Sequence, residues 1–322
     1  MSNSDLAAHR VRSTLKTFFA TRVNPGDTVI LGVSGGADSL ALAAGCAALA
    51  TELSVTFVPV IIDHQLQVGS DLVAQNALAA CTALGLSESE VRVVDVTHSG
   101  DGVESAARNA RYAALREAVV AHDAVGIVVA HSLEDQAETV LMRLSRGSGT
   151  RSLSGMSVDK DGIWRPLLTV KRADLRLSLE DYGVEIFEDP HNVDRRFTRV
   201  RVRHDVMPVL REALGASVDE ALARTAQLSF DDAQALDLWA DRVLKDATDG
   251  QTLIIEVLKT QPKAVMSRVV KAWLEANGAG LGSLTYEHIS AVTRLIVDPR
   301  VRPSVRVAGG VEVVRESGRL RA

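Results

Sequence analysis

A regular alternation of buried strands and helices in the first half of the chain most constrains its fold. Continuous runs of β-branched and apolar residues, such as residues 28–33, are typical of strands buried on both faces. Helical patterns of ten or more residues separate these runs, which indicates βαβ units. The predicted strands are 28–33, 54–62, 91–96 and 125–130, and the predicted helices are 5–22, 39–51, 72–84, 103–122 and 132–146. We therefore expect an α/β fold, a parallel sheet with helices on both faces.

The alternation fades after Gly147, and residues 159–162 read as a loop. A long helical pattern over residues 217–248 predicts a helical connector. A strand at 253–257, two helices and two final strands around Gly309 and Gly310 predict a small C-terminal α+β domain. A chain of 322 residues is long enough for two domains, and we place them at 1–215 and 216–322.

Cysteine content and hydropathy exclude several classes of protein. Cys46 and Cys81 both lie in alanine-rich helical stretches, so the chain has no disulfide framework and no CxxC metal site. The longest uncharged apolar stretch near the N-terminus, residues 40–50, is much shorter than the roughly 20 residues that span a bilayer. We therefore expect a cytoplasmic protein with no membrane partner. The sequence leaves the oligomeric state open, and a homodimer is one state that we consider.

The net charge of −5 conceals three basic segments. Arginine and lysine outnumber the acidic residues in 143–176, 194–212 and 294–322. Such segments can bind a polyanion on one face of an acidic protein. The alternative is that they are solvated helix faces and loops.

The strongest local signal is the segment Ser34-Gly-Gly-Ala-Asp-Ser39, which follows a predicted strand and opens a predicted helix. Two glycines allow a tight turn and a close approach of the backbone to a ligand. The free N–H groups and the positive dipole end of the helix favour an anion. The segment lacks the lysine of a Walker A loop and the spacing of a GxGxxG turn. A structural glycine turn with a serine cap is the alternative.

A second group of candidate side chains follows the fourth predicted strand. His131, Asp135 and Glu138 have the spacing i, i+4, i+7, so they share one helix face. Two carboxylates and an imidazole there could bind an ammonium group, hold Mg²⁺ or transfer a proton. The alternative is an exposed acidic first turn stabilised by the helix dipole.

Two further segments are less specific. Glu104, Arg108, Arg111 and Tyr112 lie along one helical stripe, but Glu104 and Arg108 also have the spacing of an ordinary surface ion pair. Asp63 and His64 follow the second predicted strand, where they could simply begin a loop.

Residues 34–39 resemble the PP-loop of the N-type ATP pyrophosphatases. The resemblance implies that this loop holds the pyrophosphate of ATP while a substrate oxygen is adenylated. It also implies that Asp38 is catalytic and binds Mg²⁺, because a carboxylate that faces a polyphosphate needs a cation between them. The ATP-binding residues implied in this way are Ser34, Gly35, Gly36, Ala37, Asp38, Ser39, Asp63 and His64.

Further motifs narrow the resemblance to the tRNA(Ile)-lysidine synthases. In chain order they are SGGADS, DHQL, ESAARNARY, HSLEDQAET, RGSG, WRPLL, EDPHN and RVRVR. The resemblance is good over roughly residues 27–212, and the C-terminal domain matches only in size and place. Two residues depart from the family pattern: Glu134 stands where Asp is usual, and Gln67 where Arg is frequent.

The resemblance implies a reaction and its site. ATP adenylates the C2 oxygen of the wobble cytidine in tRNA(Ile) with a CAU anticodon, and the ε-nitrogen of L-lysine then replaces that oxygen. AMP and pyrophosphate are the other products. Beside Asp38, the implied catalytic residues are Arg111, Asp135 and Glu138, and the implied lysine-binding residues are Arg108, Arg111, His131, Asp135 and Glu138.

Arginines in the basic segments are candidate tRNA contacts, because arginine grips phosphates and single-stranded loop bases are read when they are splayed out. The candidates are Arg195, Arg199, Arg201, Arg203, Arg315 and Arg319. Arg199, Arg201 and Arg203 also alternate as they would in a strand, where structural salt bridges are the alternative.

Three other functions compete with this interpretation. A tRNA thiolase with the same ATP loop usually needs cysteines that carry sulfur or hold a cluster, and neither cysteine here has CxxC spacing. A glutamine-dependent amidating relative needs an ammonia source, and the sequence has no recognisable glutaminase segment. A non-catalytic RNA-binding protein with a relic loop is disfavoured because Ser34, Asp38 and Ser39 are all present.

Overall fold

The computed structural model describes residues 2–65, 69–96, 103–147, 149–184, 186, 194–280 and 282–322. The chain forms two compact units, Met1–Leu228 and Ser229–Ala322. The boundary between the two units lies inside a helix that begins at Val218. The domain boundary that we expect after residue 215 stays a prediction. Within the described residues, no helix is long and apolar enough to cross a membrane.

Six strands form the sheet of the first unit, in the order β3-β2-β1-β4-β6-β5. They are β1 (Thr28–Val33), β2 (Thr56–Asp63), β3 (Glu90–Val93), β4 (Ile127–Val129), β5 (Asp159–Lys160) and β6 (Ile163–Trp164). All neighbouring pairs are parallel except β5 with β6. The structure therefore confirms the predicted parallel sheet.

Helices cover both faces of this sheet, as predicted. They are α1 (Asn3–Phe19), α2 (Ala37–Leu53), α3 (Ser70–Ala83), α4 (Val103–Ala121), α5 (Leu133–Leu144), α6 (Thr150–Leu153), α7 (Arg172–Leu177), α8 (Thr198–Arg201) and α9 (Met207–Leu214). Side chains of β1 alternate between two cores: Val29 and Leu31 pack with α1 and α2, whereas Ile30 packs with Leu115 of α4. A strand buried on both faces needs an unbroken apolar sequence, which is why β1 reads as one run.

The order of the strands reverses at β1. The chain runs outward from β1 through β2 and β3 and then returns to β4, which pairs with the other edge of β1. Ligands bind at such a switch point, beyond the carboxyl ends of the strands. Because α2 opens just after β1 and α5 just after β4, both strongest candidate segments begin at this place.

Three local interpretations differ from the structure. Residues 159–162 contribute to the β5–β6 hairpin, whose two-residue strands are too short to produce a periodic signal. Arg199, Arg201 and Arg203 belong to α8 and the π-helical turn after it, because charges at every second position carry no burial signal and say little about backbone form. Residues 253–257 are a strand only as far as Ile254, after which the chain turns into a helix.

The second unit is a small α+β fold, as predicted. Its five strands form an antiparallel sheet in the order β7-β8-β11-β10-β9. A core of Leu253, Trp273, Val313 and Leu320 joins sheet and helices. The remaining elements are α10 (Val218–Ala247), β7 (Thr248–Asp249), β8 (Thr252–Ile254), α11 (Ile255–Lys259), α12 (Lys263–Ala276), α13 (Tyr286–Val297), β9 (Ser304–Arg306), β10 (Glu312–Glu316) and β11 (Arg319–Arg321).

Candidate active site

The loop between β1 and α2 has the geometry of an anion site. Gly35 has φ +81°, and a Cβ atom there would lie 3.2 Å from the Cβ of Ala77, so the loop needs glycine for both conformation and space. Ser39 Oγ accepts a hydrogen bond from the Ser34 N–H (3.1 Å) and donates one to the Gly36 carbonyl (2.9 Å). Gly36 caps α2 and has no side chain to occupy the first amides of the helix. Those amides therefore remain available to a phosphate group.

Asp38, in the first turn of α2, presents a carboxylate with one engaged and one unengaged oxygen. Oδ2 accepts a hydrogen bond from Arg172 Nε (3.2 Å), whereas Oδ1 is buried and has no partner among the described residues. Burial raises the pKa of this carboxyl, and Asp135 adds to that rise while Arg172 opposes it. An orphaned carboxylate oxygen beside free helix amides that suit a phosphate fits a hard cation such as Mg²⁺.

Asp135 and Glu138, which we call the carboxylate pair, are buried on the first two turns of α5. Asp135 Oδ2 accepts bonds from the Ser132 N–H (2.9 Å) and Ser132 Oγ (3.1 Å), which closes the N-terminal cap of the helix. The Asp135 side chain is 10% exposed and the Glu138 side chain 1%. The alternative of an exposed acidic turn is therefore wrong.

Three arginines, Arg172, Arg199 and Arg203, neutralise the carboxylate pair. All three reach Asp135 Oδ1, at 3.0, 3.1 and 2.8 Å respectively. Glu138 accepts from Arg199 Nε (2.9 Å) and Arg203 Nε (2.8 Å). Burial alone would raise the pKa of Asp135, but Arg199 and Arg172 outweigh it and hold that pKa well below its usual value. A buried pair of carboxylates is sustained here only because each has guanidinium partners.

Arg172 connects the carboxylate pair to residues 34–39, which we call the phosphate loop. Its guanidinium group donates from Nε to Asp38 and from Nη2 to Asp135, and its backbone N–H donates to Glu134 Oε2 (2.9 Å). Sequence reasoning missed this residue, because its partners lie 134 and 37 positions away and no motif contains it. The hydrogen bond from the Arg172 N–H gives Glu134, which stands where Asp is usual, a structural role.

A cluster of basic and aromatic groups on α4 lies at the same edge of the sheet. The guanidinium carbons of Arg108 and Arg111 lie 5.0 and 5.2 Å from the centre of the Tyr112 ring. His131 lies just after β4. Burial lowers its pKa to about 3, with Arg199 and Arg111 adding to the decrease and Asp135 opposing it. Its imidazole is therefore neutral near pH 7.

Asp63 is the last residue of β2 and His64 follows it, two strands from β4 in the sheet. Asp63 is buried, and its Oδ1 accepts a hydrogen bond from the Gln65 N–H (2.9 Å), which stabilises the turn. Burial and Arg111 lower the pKa of His64, whose Nδ1 has no partner within the described chain. Their assignment to the ATP site stays a prediction.

The candidate tRNA-binding arginines have different environments. Arg199 and Arg203 are committed to the carboxylate pair, so their side chains point inward. Arg195 pairs with Asp205 (3.0 Å), and Arg201 donates to the Arg195 carbonyl (3.0 Å). Arg315 donates to carbonyls at the end of α13, including those of Leu295 (3.1 Å) and Asp298 (2.8 Å), and Arg319 pairs with Asp249 (2.6 Å). Of the six, Arg195 and Arg201 are on exposed positions near the site.

Some sequence candidates lie outside the described residues, and the cysteines lie inside the core. Gln67, residues 188–192 and the side chain of Glu104 fall outside the description. Cys46 and Cys81 are both buried, and burial raises the pKa of each thiol, that of Cys81 to about 12. Among the residues that are described, no group of three or more His, Cys, Asp or Glu side chains could hold a metal ion by itself.

Comparisons with known proteins agree with this geometry. A family model of a PP-loop domain matches residues 7–210, and a model of the TilS substrate binding domain matches residues 253–321. The chain is 45% identical to the tRNA(Ile)-lysidine synthase of Streptomyces coelicolor, over 91% of this chain and 84% of that relative. It is 44% identical to the synthase of Rhodococcus erythropolis, over 90% and 86%, and 41% identical to that of Thermobifida fusca, over 92% and 91%.

A solved structure shares the fold alone. The U34-tRNA thiolase of Methanococcus maripaludis, solved with its [4Fe-4S] cluster, has a TM-score of 0.58 at 14% identity and covers 69% of this chain and 79% of its own. The curated relatives are far closer in sequence and extend over both units of this chain. The chain belongs to the tRNA(Ile)-lysidine synthase family.

Proposed function

We propose that this chain is a ligase that joins L-lysine to C2 of the wobble cytidine in tRNA(Ile) with a CAU anticodon, at the expense of ATP. The observation that carries the proposal is the link through Arg172 between Asp38 of the phosphate loop and Asp135 of the carboxylate pair. That link brings an ATP site and a cation-binding site to one switch point of the sheet.

In the first step, the C2 oxygen of cytidine attacks the α-phosphorus of ATP, and pyrophosphate leaves. The amides at the start of α2 and the Ser34 hydroxyl hold the pyrophosphate, and Ser39 adds a donor when its hydroxyl turns away from the Gly36 carbonyl. Asp38 would hold Mg²⁺, which would supply positive charge to the phosphate oxygens. Adenylation is required because the C2 oxygen is a very poor leaving group, whereas AMP is a good one.

In the second step, the lysine ε-nitrogen attacks C2 and AMP leaves with the oxygen. The ε-ammonium has a reference pKa of about 10.4, so it must be positioned and then lose a proton. Asp135 and Glu138 are the groups that we assign to the ammonium. Because both are paired with Arg199 and Arg203, lysine has to share or displace these arginines. Arg108, Arg111 and His131 complete the lysine site, and Arg111 also stabilises charge in the reaction.

We assign tRNA binding to exposed arginines such as Arg195 and Arg201, and to the C-terminal unit. The C-terminal unit matches the substrate binding domain of the family, which supports a role in holding the tRNA body. We further propose that the protein acts in the cytoplasm.

Two alternatives are disfavoured by specific observations. Thiolase chemistry needs an accessible thiolate or a cluster, whereas burial keeps Cys46 and Cys81 protonated. A binding-only protein has no use for the orphaned oxygen of Asp38 beside an intact phosphate loop.

Pyrophosphate release tests the proposal. We expect release from ATP and Mg²⁺ only when unmodified tRNA(Ile) is present, and sustained turnover only when lysine is added. The matched control is the same tRNA with uridine at the wobble position, which has no cytidine to modify and should give no turnover. Release that persists with the uridine control, or that is indifferent to lysine, would contradict the proposal.

A further inference from the structure

The carboxylate of Asp135 has no acceptor position left for a further donor. A carboxylate offers about four lone-pair positions. Oδ2 accepts from the Ser132 N–H (2.9 Å) and from Ser132 Oγ (3.1 Å). Oδ1 accepts from Arg172 Nη2 (3.0 Å) and from Arg203 Nη2 (2.8 Å). An ammonium group that approaches Asp135 therefore needs one of these donors to leave.

Arg172 differs from the other two arginines at the carboxylate pair in where it is anchored. Arg199 and Arg203 each donate through Nε to Glu138, at 2.9 and 2.8 Å, so both of them are held within the pair. The second anchor of Arg172 is Asp38 of the phosphate loop, whose Oδ2 accepts from Arg172 Nε (3.2 Å). A ligand at the phosphate loop can therefore act on Arg172 directly.

The main chain at Arg172 is held in place, whereas its side chain has room to turn. The Arg172 N–H donates to Glu134 Oε2 (2.9 Å), which ties the first turn of α7 to α5. The side chain is 22% exposed, and several rotatable bonds separate the held backbone from the guanidinium group. The guanidinium group can therefore change partners while the helix keeps its position.

A phosphate ligand at the loop would draw this guanidinium group away from the carboxylate pair. Asp38 Oδ1 is buried and has no partner in the described part of the chain, which fits a cation at this carboxylate. Such a cation would compete with Arg172 Nε for Asp38. The phosphate oxygens that the cation holds would at the same time offer Arg172 the charge-assisted, forked contacts that guanidinium groups favour.

The position that Arg172 would vacate lies between both members of the carboxylate pair. Arg172 Nη2 is 3.0 Å from Asp135 Oδ1 and 3.7 Å from Glu138 Oε1. Glu138 Oε1 accepts a hydrogen bond from Arg203 Nε and has a second lone pair. An ammonium nitrogen near the place of Arg172 Nη2 would therefore reach both carboxylates.

We propose that Arg172 is a positioning residue that couples the two sites: Mg²⁺ and a phosphate ligand at the phosphate loop turn it away from the carboxylate pair, which opens the pair to an ammonium group. That this ammonium group belongs to lysine rests on the proposed function. Coupling between two sites is reciprocal, so lysine at the pair raises the affinity for the phosphate ligand by the same factor. Lysine then binds best once the nucleotide is in place.

Lysine binding to the full-length protein, with and without saturating Mg²⁺ and pyrophosphate, measures the coupling by equilibrium dialysis. We expect pyrophosphate to raise the lysine affinity of the wild type about tenfold, which is within the usual range for coupled sites. Arg172→Gln should lose most of this difference. Arg176→Gln is the matched control, because it removes the same charge from an exposed position one turn further along α7 and should keep the difference.

Arg172→Lys is the second variant, in case Arg172→Gln does not fold. It keeps the positive charge that the buried carboxylates need, but it lacks the planar fork that donates to Asp38 and Asp135 together. We expect its coupling to fall to about threefold or less, since its ammonium group reproduces only part of that link.

A second arm of the experiment needs no lysine. Asp135→Asn removes the charge that holds Arg172 at the pair, as a bound ammonium group would neutralise it. This variant should therefore bind Mg²⁺ and pyrophosphate more tightly than the wild type, by about the same tenfold factor. Made in the Arg172→Gln background, the same substitution should change that affinity much less, and the double-mutant cycle measures the difference.

The outcomes separate this inference from the proposed function. Lysine binding that responds equally to pyrophosphate in the wild type, Arg172→Gln and Arg172→Lys would overturn the role of Arg172, and so would a wild type whose lysine binding ignores pyrophosphate. A pyrophosphate affinity that Asp135→Asn leaves unchanged in folded protein would also overturn it. A wild type that binds no lysine but shows the double-mutant effect would count against the proposed function and still support the coupling.

Discussion

At the scale of single residues, the carboxylate pair is stabilised by ion pairs with several arginines. Glu138 is almost fully buried and accepts hydrogen bonds from Arg199 and Arg203. We expect Glu138→Gln to lower the free energy of unfolding by about 3–5 kcal/mol, because it leaves buried guanidinium groups without a counterion. Urea unfolding measures this change. Glu256→Gln, which breaks an exposed pair with Lys259, is the control and should have little effect. A loss below about 1 kcal/mol for Glu138→Gln would contradict the view that Glu138 is the needed counterion of these guanidinium groups.

Asp38 should matter for ATP chemistry rather than for folding. Asp38→Asn keeps the shape of the side chain but removes the charge that we assign to Mg²⁺. We expect pyrophosphate release to become undetectable while the unfolding transition stays cooperative. Asp71→Asn, at an exposed position on α3, should release pyrophosphate at the wild-type rate. Substantial release by Asp38→Asn would remove this carboxylate from the mechanism.

The buried His131 predicts how stability depends on pH. Its pKa is about 3 in the folded chain, against about 6.5 when unfolded, so the unfolded state binds more protons between these values. This group therefore costs stability as the pH falls below 6.5, by up to about 1.4 kcal/mol per pH unit. Asp135 contributes little in that window, because its lowered pKa matters only below the unfolded value near 3.9.

Urea unfolding of wild type and His131→Asn at pH 7 and pH 4.5 tests that prediction. The wild type should lose more stability on acidification than the variant. Equal losses in both proteins would mean that the imidazole is not buried as a neutral group.

The sequence predicts only some of the residues that form the site. Asp38, Asp135 and Glu138 stand in segments whose spacing or context is distinctive, and they are close together in the structure through Arg172. Arg172 itself gave no signal, because a guanidinium that bridges two distant carboxylates is defined by the fold and not by its neighbours in sequence. Arg199 and Arg203 were noticed for their charge, but their inward orientation depends on the helical turn that carries them.

At the scale of elements, the phosphate loop depends on a glycine that the packing of α3 requires. A methyl group at Gly35 meets Ala77 of α3 in addition to the strain of a positive φ. We expect Gly35→Ala to reduce pyrophosphate release by about tenfold or more, because the loop must move away from its anion-binding shape. The rate of pyrophosphate release is the measurement.

Gly26→Ala is the matched control for strain alone. Gly26 has φ +93° and no atom near the position of an added Cβ. This variant should lose some stability but keep its rate of pyrophosphate release. Equal losses of activity in the two variants would assign the effect to backbone strain in general.

The strength of each element's burial decided how well it could be predicted. β1 and β2 carry unbroken apolar runs because both of their faces are covered, and they were found within two residues of their ends. The β5–β6 hairpin was missed because strands of two residues leave no periodicity. The strand predicted at β8 is too long, since apolar residues continue into α11 with only Glu256 between them.

At the scale of the whole molecule, the two units differ in how much their sequences reveal. The first unit contains the switch point, the phosphate loop and the carboxylate pair, whose motifs identify the family. The α+β fold of the second unit is predicted from its strand and helix patterns, but its resemblance to the family is one of size and place only, and the family comparison matches it to a substrate binding domain. A small antiparallel sheet packed on helices carries no motif that names a ligand.

Transfer of labelled lysine into tRNA tests the central claim most directly. The protein is mixed with ATP, Mg²⁺, labelled L-lysine and unmodified tRNA(Ile) with a CAU anticodon, and the label is located after digestion to nucleosides. We predict ATP-dependent label on the wobble cytidine, absent with Asp38→Asn and present with Asp71→Asn. Folded wild-type protein that binds both ATP and the tRNA but leaves the cytidine unlabelled would contradict the account.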